Sequence, residues 1–335
     1  MRHRTRGVPA ILDEVTGDDP HPPGGGVRRW RSPHASTSIR CQRPVTPARR
    51  LRAALIATCV LLAGTAAACS TDREDVTAGG RTIDAGPAHV HGLGINPADG
   101  SLVIATHTGL FRVGEGERSA ARIGDRRQDT MGFTVVGPDR FLGSGHPDLR
   151  DDLPPLLGLI RSEDAGRTWR PVSLLGRADF HVLRAQGDRV YGFDSVSGRL
   201  LVSPNGGRSW QRRRAPEPLL DLVIRPGRPG ELLASGASGL HRSTDGGRTW
   251  TPAGGAPALL AWPASDRLYA VDLSGQVRVS DDRGSHWQVR GTVGGEPGAV
   301  TATAEEILVA LHDGTVLVSS TGADWTVRSA PASSG

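Results

Sequence analysis

Lysine is missing from this 335-residue chain, so apart from histidine every basic side chain is arginine. Cysteine is almost as scarce: Cys41, Cys59 and Cys69 are the only three, and none lies in the last 266 residues. The body of the chain can therefore hold neither a disulfide framework nor a cysteine metal site, and its fold must rest on packing alone. Tyrosine occurs twice and methionine twice, and seven tryptophans make up half of the aromatic residues, which total 4 % of the chain. The formal charge of +5 does not describe the body either. Residues 1–68 carry 11 Arg against 4 acidic residues, and the rest carries 29 Arg against 31. No arginine stripe with interleaved aromatics appears there, which argues against a nucleic-acid partner.

The basic part reads as a leader. Arg49, Arg50 and Arg52 precede an apolar run over 53–63, followed by Gly64-Thr65-Ala66-Ala67-Ala68-Cys69. A positive segment, a short apolar stretch and a small-residue exit are the signature of a secretory signal, and the run is too short for a membrane span. Small residues ending at a cysteine resemble a bacterial lipobox, with Ala66 where leucine is usual. The resemblance implies cleavage before Cys69 and its lipidation. Localisation is then the outer face of the cytoplasmic membrane; cleavage near Ala68 without acylation would give a secreted protein instead. Residues 1–44, rich in Pro, Gly and Arg, have no apolar periodicity and read as a disordered extension, or as a mis-assigned start ahead of Val45. The expected organisation is extension 1–44, signal peptide 45–68, lipidated cysteine and polar tether 69–86, repeat domain 87–330 and tail 331–335.

The repeats decide the fold. Four segments align without gaps: Ser162-Glu-Asp164-Ala-Gly166-Arg-Thr168-Trp169, Ser203-Pro-Asn205-Gly-Gly207-Arg-Ser209-Trp210, Ser243-Thr-Asp245-Gly-Gly247-Arg-Thr249-Trp250 and Ser280-Asp-Asp282-Arg-Gly284-Ser-His286-Trp287. A fifth, Ser319 to Trp325, is one residue short. The pattern resembles the Asp-box repeat, S-x-D-x-G-x-T-W, of sialidases, sortilin-type receptors and a photosystem assembly factor. The Asp or Asn of such a box caps a turn by accepting backbone N–H groups, and its Gly takes the positive φ the turn needs. Its Trp buries a large ring between neighbouring sheets. In that family the box joins the third and fourth strands of a blade, away from the ligand face, so these boxes read as scaffold.

Each box follows three β-rich runs, and the same runs recur upstream without a box at His91–Ile95, Leu102–Thr106 and Gly109–Val113. That makes six repeats of four strands, which bury both faces only by radial packing. The sequence thus predicts an all-β, six-bladed β-propeller of four-stranded antiparallel blades; a seventh blade would have to fit into residues 70–86, which are too few. Arg81-Thr-Ile-Asp84 is a candidate outer strand for closing the ring.

In a propeller, inner strands begin and second strands end on one face. That rule places His89, His91, Met131 and His181 at strand entries, and His107, His146, Asp194, Asp272 and His312 at second-strand ends. Imidazoles, carboxylates and a thioether at one mouth are a transition-metal donor set, suited to Zn or Cu; the alternative is a polar rim that hydrogen-bonds its own loops. His241 and His286 fall elsewhere, in a third strand and inside a box. The longer segment 143–155 is a candidate lid or recognition loop.

The sialidase likeness also implies a glycoside hydrolase reading, but only Tyr191 and Tyr269 are available and no Arg-Ile-Pro occurs. Asp148, Asp194 and Asp272 are the remaining carboxylate candidates for acid/base work. His-Val-His-Gly-Leu and Gly-Ser-Gly-His-Pro-Asp do resemble bacterial lipoproteins labelled glycosyl hydrolase. Three readings result: a surface binding or assembly module with a metal at its mouth, a glycosidase acting on surface glycans, and a protein-interaction scaffold without a ligand. The expected partners are the membrane, through the anchor, and a protein or glycan, with the protein itself a monomer.

Overall fold

The computed structural model describes residues 76–78, 81–83 and 86–331. The segments expected to be extension and signal peptide, and Cys69, lie outside them. Two short strands come first, β1 (Val76–Ala78) and β2 (Arg81–Ile83), paired only with each other. The segment beginning at Arg81 therefore does not extend a blade.

Six four-stranded antiparallel sheets follow, each made of consecutive strands. Blade 1 comprises β3 (Val90–Ile95), β4 (Leu102–Thr106), β5 (Gly109–Val113) and β6 (Ala121–Arg122). Blade 2 comprises β7 (Asp129–Gly137), β8 (Arg140–His146), β9 (Leu159–Ser162) and β10 (Arg170–Ser173). Blade 3 comprises β11 (Phe180–Gln186), β12 (Arg189–Asp194), β13 (Arg199–Ser203) and β14 (Gln211–Arg213). Blade 4 comprises β15 (Leu219–Arg225), β16 (Arg228–Gly236), β17 (Gly239–Ser243) and β18 (Thr251–Gly254). Blade 5 comprises β19 (Ala258–Ala264), β20 (Arg267–Asp272), β21 (Gln276–Ser280) and β22 (Gln288–Thr292). Blade 6 comprises β23 (Pro297–Ala302), β24 (Ile307–Leu311), β25 (Val316–Ser319) and β26 (Thr326–Ser329).

The inner strands pack in order around an axis, and β23 packs against β3 to close the ring. Closure is by side-to-side packing of complete blades, without exchange of a strand. Arg328 on β26 fastens this seam by donating to the carbonyls of Gly114 and Glu117, in the β5–β6 connection that lacks a box.

Side chains alternate along each strand, so each blade feeds two seams. In β12, Val190 packs towards blade 2 and Tyr191 towards blade 4. The second strands are consequently apolar on both faces: every residue of β4 is buried. Six hydrophobic clusters result, one per seam.

The boxes lie at the end of each third strand. In three of them the serine hydroxyl accepts the N–H of the box glycine at 2.8–2.9 Å, and the Asp or Asn accepts the N–H four residues after the serine-plus-two position (Thr168, Ser209, Thr249) at 2.8–3.0 Å. The glycines take φ of 83–88° in the four full boxes, a region closed to most side chains. In the fourth box His286 stands in for threonine, its Nδ1 lying 2.6 Å from Asp282 Oδ2. In the fifth, Thr321 replaces the acid and accepts from Ala323.

Each box tryptophan packs into the seam shared with the preceding blade: Trp169, Trp210, Trp250, Trp287 and Trp325 in turn. Trp210 is fully buried and donates to Ser173 Oγ at 2.9 Å; Trp250 donates to the Arg214 carbonyl at 3.2 Å. The other rings are half-buried. Boxes bond to the turns joining first and second strands, as Gly206 N–H does to Asp188 and Gly246 N–H to Gly230. They therefore occupy the face opposite the inner-strand entries.

Candidate metal centre at the channel mouth

The inner strands surround a channel of about 600 Å³. Phe133, Leu260 and Trp262 are among the lining residues, and His91, Met131 and His181 line it towards the entry. A register feature puts them there. Between β3 and β4 the pairing jumps from Val90↔Thr106 to Gly92↔Ala105, leaving His91 as an extra residue outside the ladder. Met131 and His181 are the extra residues at the same level of blades 2 and 3, Leu220 in blade 4 and Gly298 in blade 6. Such a bulge re-aims a side chain that strict alternation would send into a seam.

Around His91 the side chains form one connected network. The rings of His91 and His107 meet edge-on with centroids 4.2 Å apart, and His89 lies 5.6 Å from His107. His107 Nδ1 is 3.0 Å from Asp129 Oδ1, whose other oxygen is 3.3 Å from His146 Nδ1. His146 Nε2 is 3.9 Å from Asp179 Oδ2, and that oxygen is 2.8 Å from His181 Nε2. His91, His107 and Asp129 can bring one donor atom each to within 4.8 Å of one another. Ligand atoms about 2.0–2.2 Å from one ion lie at most about 4.4 Å apart, so these donors would share an ion after a small approach.

The electrostatics fit as well. Burial, reinforced by the neighbouring His107, pushes His91 down to about 4, so its imidazole is neutral at neutral pH and free to ligate. His91 Nε2 and Asp179 Oδ1 are buried without a hydrogen-bond partner. Groups in that state cost free energy unless something else satisfies them. Burial opposes the charge on Asp179, yet the hydrogen bonds from His181 and Ser195 together with the nearby imidazoles outweigh it and lower the carboxyl; the His181 bond in turn raises His181. His89 holds a positive φ of 51°, backbone strain of a kind that gathers at functional sites.

The remaining candidates stand differently. Asp194 and Asp272 pair with Phe180 and Ala258, the level of Thr106 in blade 1, and so precede the His107 and His146 level by one residue. A one-residue offset reverses side-chain direction, and the sequence alignment missed it because the turn after Asp194 is longer. Asp194 instead accepts the N–H groups of Asp179, Val196 and Ser197. Asp272 accepts from Ser274, Gln276 and Arg278. Asp148 is taken up by Arg150 and the Arg127 N–H, which hold its carboxyl well below the usual range. Each of these three carboxylates is thus engaged by backbone N–H groups and neighbouring side chains. His312 faces Glu296 at 3.4 Å beside Gly298 and the Val90 carbonyl, near the network but with no contact to it.

Asp129 and Asp179 are the residues that the sequence reading did not single out. Each lies two before a bulged residue, the spacing of His89 to His91, and that recurrence was the available signal. The loop after β8 stands beside them, pinned to the blade 1–2 linker by Asp148 and by the Arg126–Asp151 pair, with Leu149 fully exposed.

No protein-family model matches the sequence, and no curated protein matches it. Among solved structures the chain is similar to the GH74 enzyme of Niastella koreensis, at 16 % identity and a TM-score of 0.53, over 72 % of this chain and 45 % of that one. It also aligns with YCF48 from Cyanidioschyzon merolae at 13 % identity and a TM-score of 0.45, over 72 % and 85 % of the two chains. A structure of YCF48 bound to D1 peptide aligns over 59 % of this chain and 67 % of that one, at 16 % identity and a TM-score of 0.42. The chain spans less than half the length of the GH74 enzyme it matches. At such identities the likeness concerns architecture: the chain is an all-β, six-bladed propeller similar in fold to a GH74 enzyme.

Proposed function

We propose that the protein is an exported, lipid-anchored surface module whose channel mouth binds a transition metal, Zn or Cu, through His91, His107 and Asp129. The observation that carries this reading is the approach of those three donor atoms to within 4.8 Å. Two imidazoles and one carboxylate leave coordination positions open, as in sites that bind an exogenous ligand rather than purely structural ones. His107 is 44 % exposed, so an incoming donor from a partner has access. His146, on the second oxygen of Asp129, orients that carboxylate from behind. Export and anchoring rest on the arginine-led apolar run and the small residues before Cys69.

Metal analysis of protein purified without a polyhistidine tag tests the site. Wild type should retain one equivalent of Zn(II) or Cu(II) after gel filtration, and His91→Ala/His107→Ala should retain none. An unloaded wild type, or a double variant that still holds its ion, would refute the assignment. Cys69→Ser should move the protein from the membrane fraction to the medium.

A further inference from the structure

The bulged residues carry a chemistry that the rim set does not use. At one level of the channel, blades 1, 2 and 3 present His91, Met131 and His181, each displaced from its ladder by the same register shift. At that level blade 4 offers Leu220 and blade 6 Gly298, which bring no donor atom, and blade 5 has no bulge. All of the bulged residues line the channel. Two glycines draw the three donor-bearing strands together. A Cβ on Gly132 would stand 2.3 Å from the Phe180 carbonyl oxygen, and one on Gly92 3.0 Å from Phe133 Cβ. No side chain can separate β3, β7 and β11 at this level, so the bulged residues project into one narrow sector.

The three donors are also prepared individually. His181 is tied through Nε2 to Asp179, itself fixed by Ser195, which leaves Nδ1 as its free donor. A carboxylate on the far nitrogen is the usual support of a metal-bound imidazole. His91 keeps Nε2 buried and unpartnered. Met131 is the only methionine after residue 1, and it occupies a ring position that an aliphatic side chain fills in blade 4. The thioether is what distinguishes it.

We infer that the mouth has a second, inner metal position, formed by His91, Met131 and His181, that takes a soft monovalent ion, Cu(I), and shares His91 with the rim position, so that the one neutral imidazole serves one ion at a time. Thioether and imidazole ligands without a carboxylate select Cu(I), whereas the rim set with Asp129 suits Zn(II) or Cu(II). This rests on metal binding at the mouth and specifies which ion goes where.

The test is a pair of competition titrations on tag-free protein, one with Cu(I) against a chromogenic Cu(I) chelator under anaerobic conditions, the other with Zn(II) against a chromophoric zinc chelator. Met131→Leu conserves volume, and thermal unfolding of each variant checks that it is folded. Met131→Leu and His181→Ala should lose the Cu(I) equivalent and keep Zn(II). Asp129→Asn should lose Zn(II) and keep Cu(I), and His91→Ala should lose both. X-ray absorption of the Cu(I) form should show a copper–sulfur distance that disappears in Met131→Leu. If Met131→Leu holds Cu(I) as wild type does while Zn(II) binding still depends on Asp129, the inner position is refuted and the rim site stands. If wild type binds neither ion, both assignments fall.

Discussion

The two faces of the propeller differ in how they satisfy their polar groups. Within each full box the side-chain acceptors meet donors a few residues away: Asp164 and Asp245 bond to Thr168 and Thr249, and the serines to their own glycines. At the mouth the partners of Asp129 come from two blades, and buried atoms of His91 and Asp179 stay unsatisfied. Locally closed polar groups hold a turn; convergent groups with free valence can hold something else. On that difference rests the proposal of scaffold at one face and binding at the other.

Breaking the scaffold should cost the most. Trp210→Ala, at the blade 2–3 seam, removes a fully buried ring and its bond to Ser173. It should lower unfolding free energy by about 3–5 kcal/mol in chemical denaturation, with metal stoichiometry of the folded protein unchanged. Loading the mouth comes next. Zn(II) at a hundredfold excess over Kd should stabilise wild type by about 2.7 kcal/mol and leave His91→Ala/His107→Ala unaffected, read from the same denaturation curves.

A single box should matter less. Asp245→Ala removes the acceptor for the Arg248 and Thr249 N–H groups and should cost about 1–2 kcal/mol. Partial burial opposes the charge on Asp245, but the Thr249 hydrogen bonds prevail and hold it at about 2. Its folded value lies below its unfolded one, so its contribution is complete above the ordinary carboxylate range and is lost as pH falls towards 2. Asp245→Asn, which copies Asn205 of blade 3, should flatten that part of the pH–stability profile. The smallest effect belongs to the mouth without metal: His107→Ala should change stability by no more than about 0.5 kcal/mol. A loss comparable to that of Trp210→Ala would mean that the histidine network is scaffold after all.

How much of this was legible depends on the range of each interaction. The five boxes could be read because serine, acid and glycine act within a few residues of each other. Mouth residues were legible as types and as a face, since strand direction alone sends His91, His107, His146 and His181 to one end. Their grouping was not. Asp194 and Asp272 seemed to share the histidine level until the turn lengths were known, and Asp129 and Asp179 drew no notice although they repeat the spacing of His89 to His91. The closing device was misread as well, since Arg81–Ile83 pairs with Val76–Ala78 and the seam is fastened by Arg328.

The amino-acid order by itself determined the blade count, the strand order within blades and the turns that cap them, because those follow from contacts a few residues apart and from a repeat of about forty. Tertiary structure alone decided which side chains meet across blades. A bulge at the entry of β3, β7 and β11 and close approaches at Gly92 and Gly132 turn His91, Met131 and His181 into the channel, and neither leaves a mark in local periodicity.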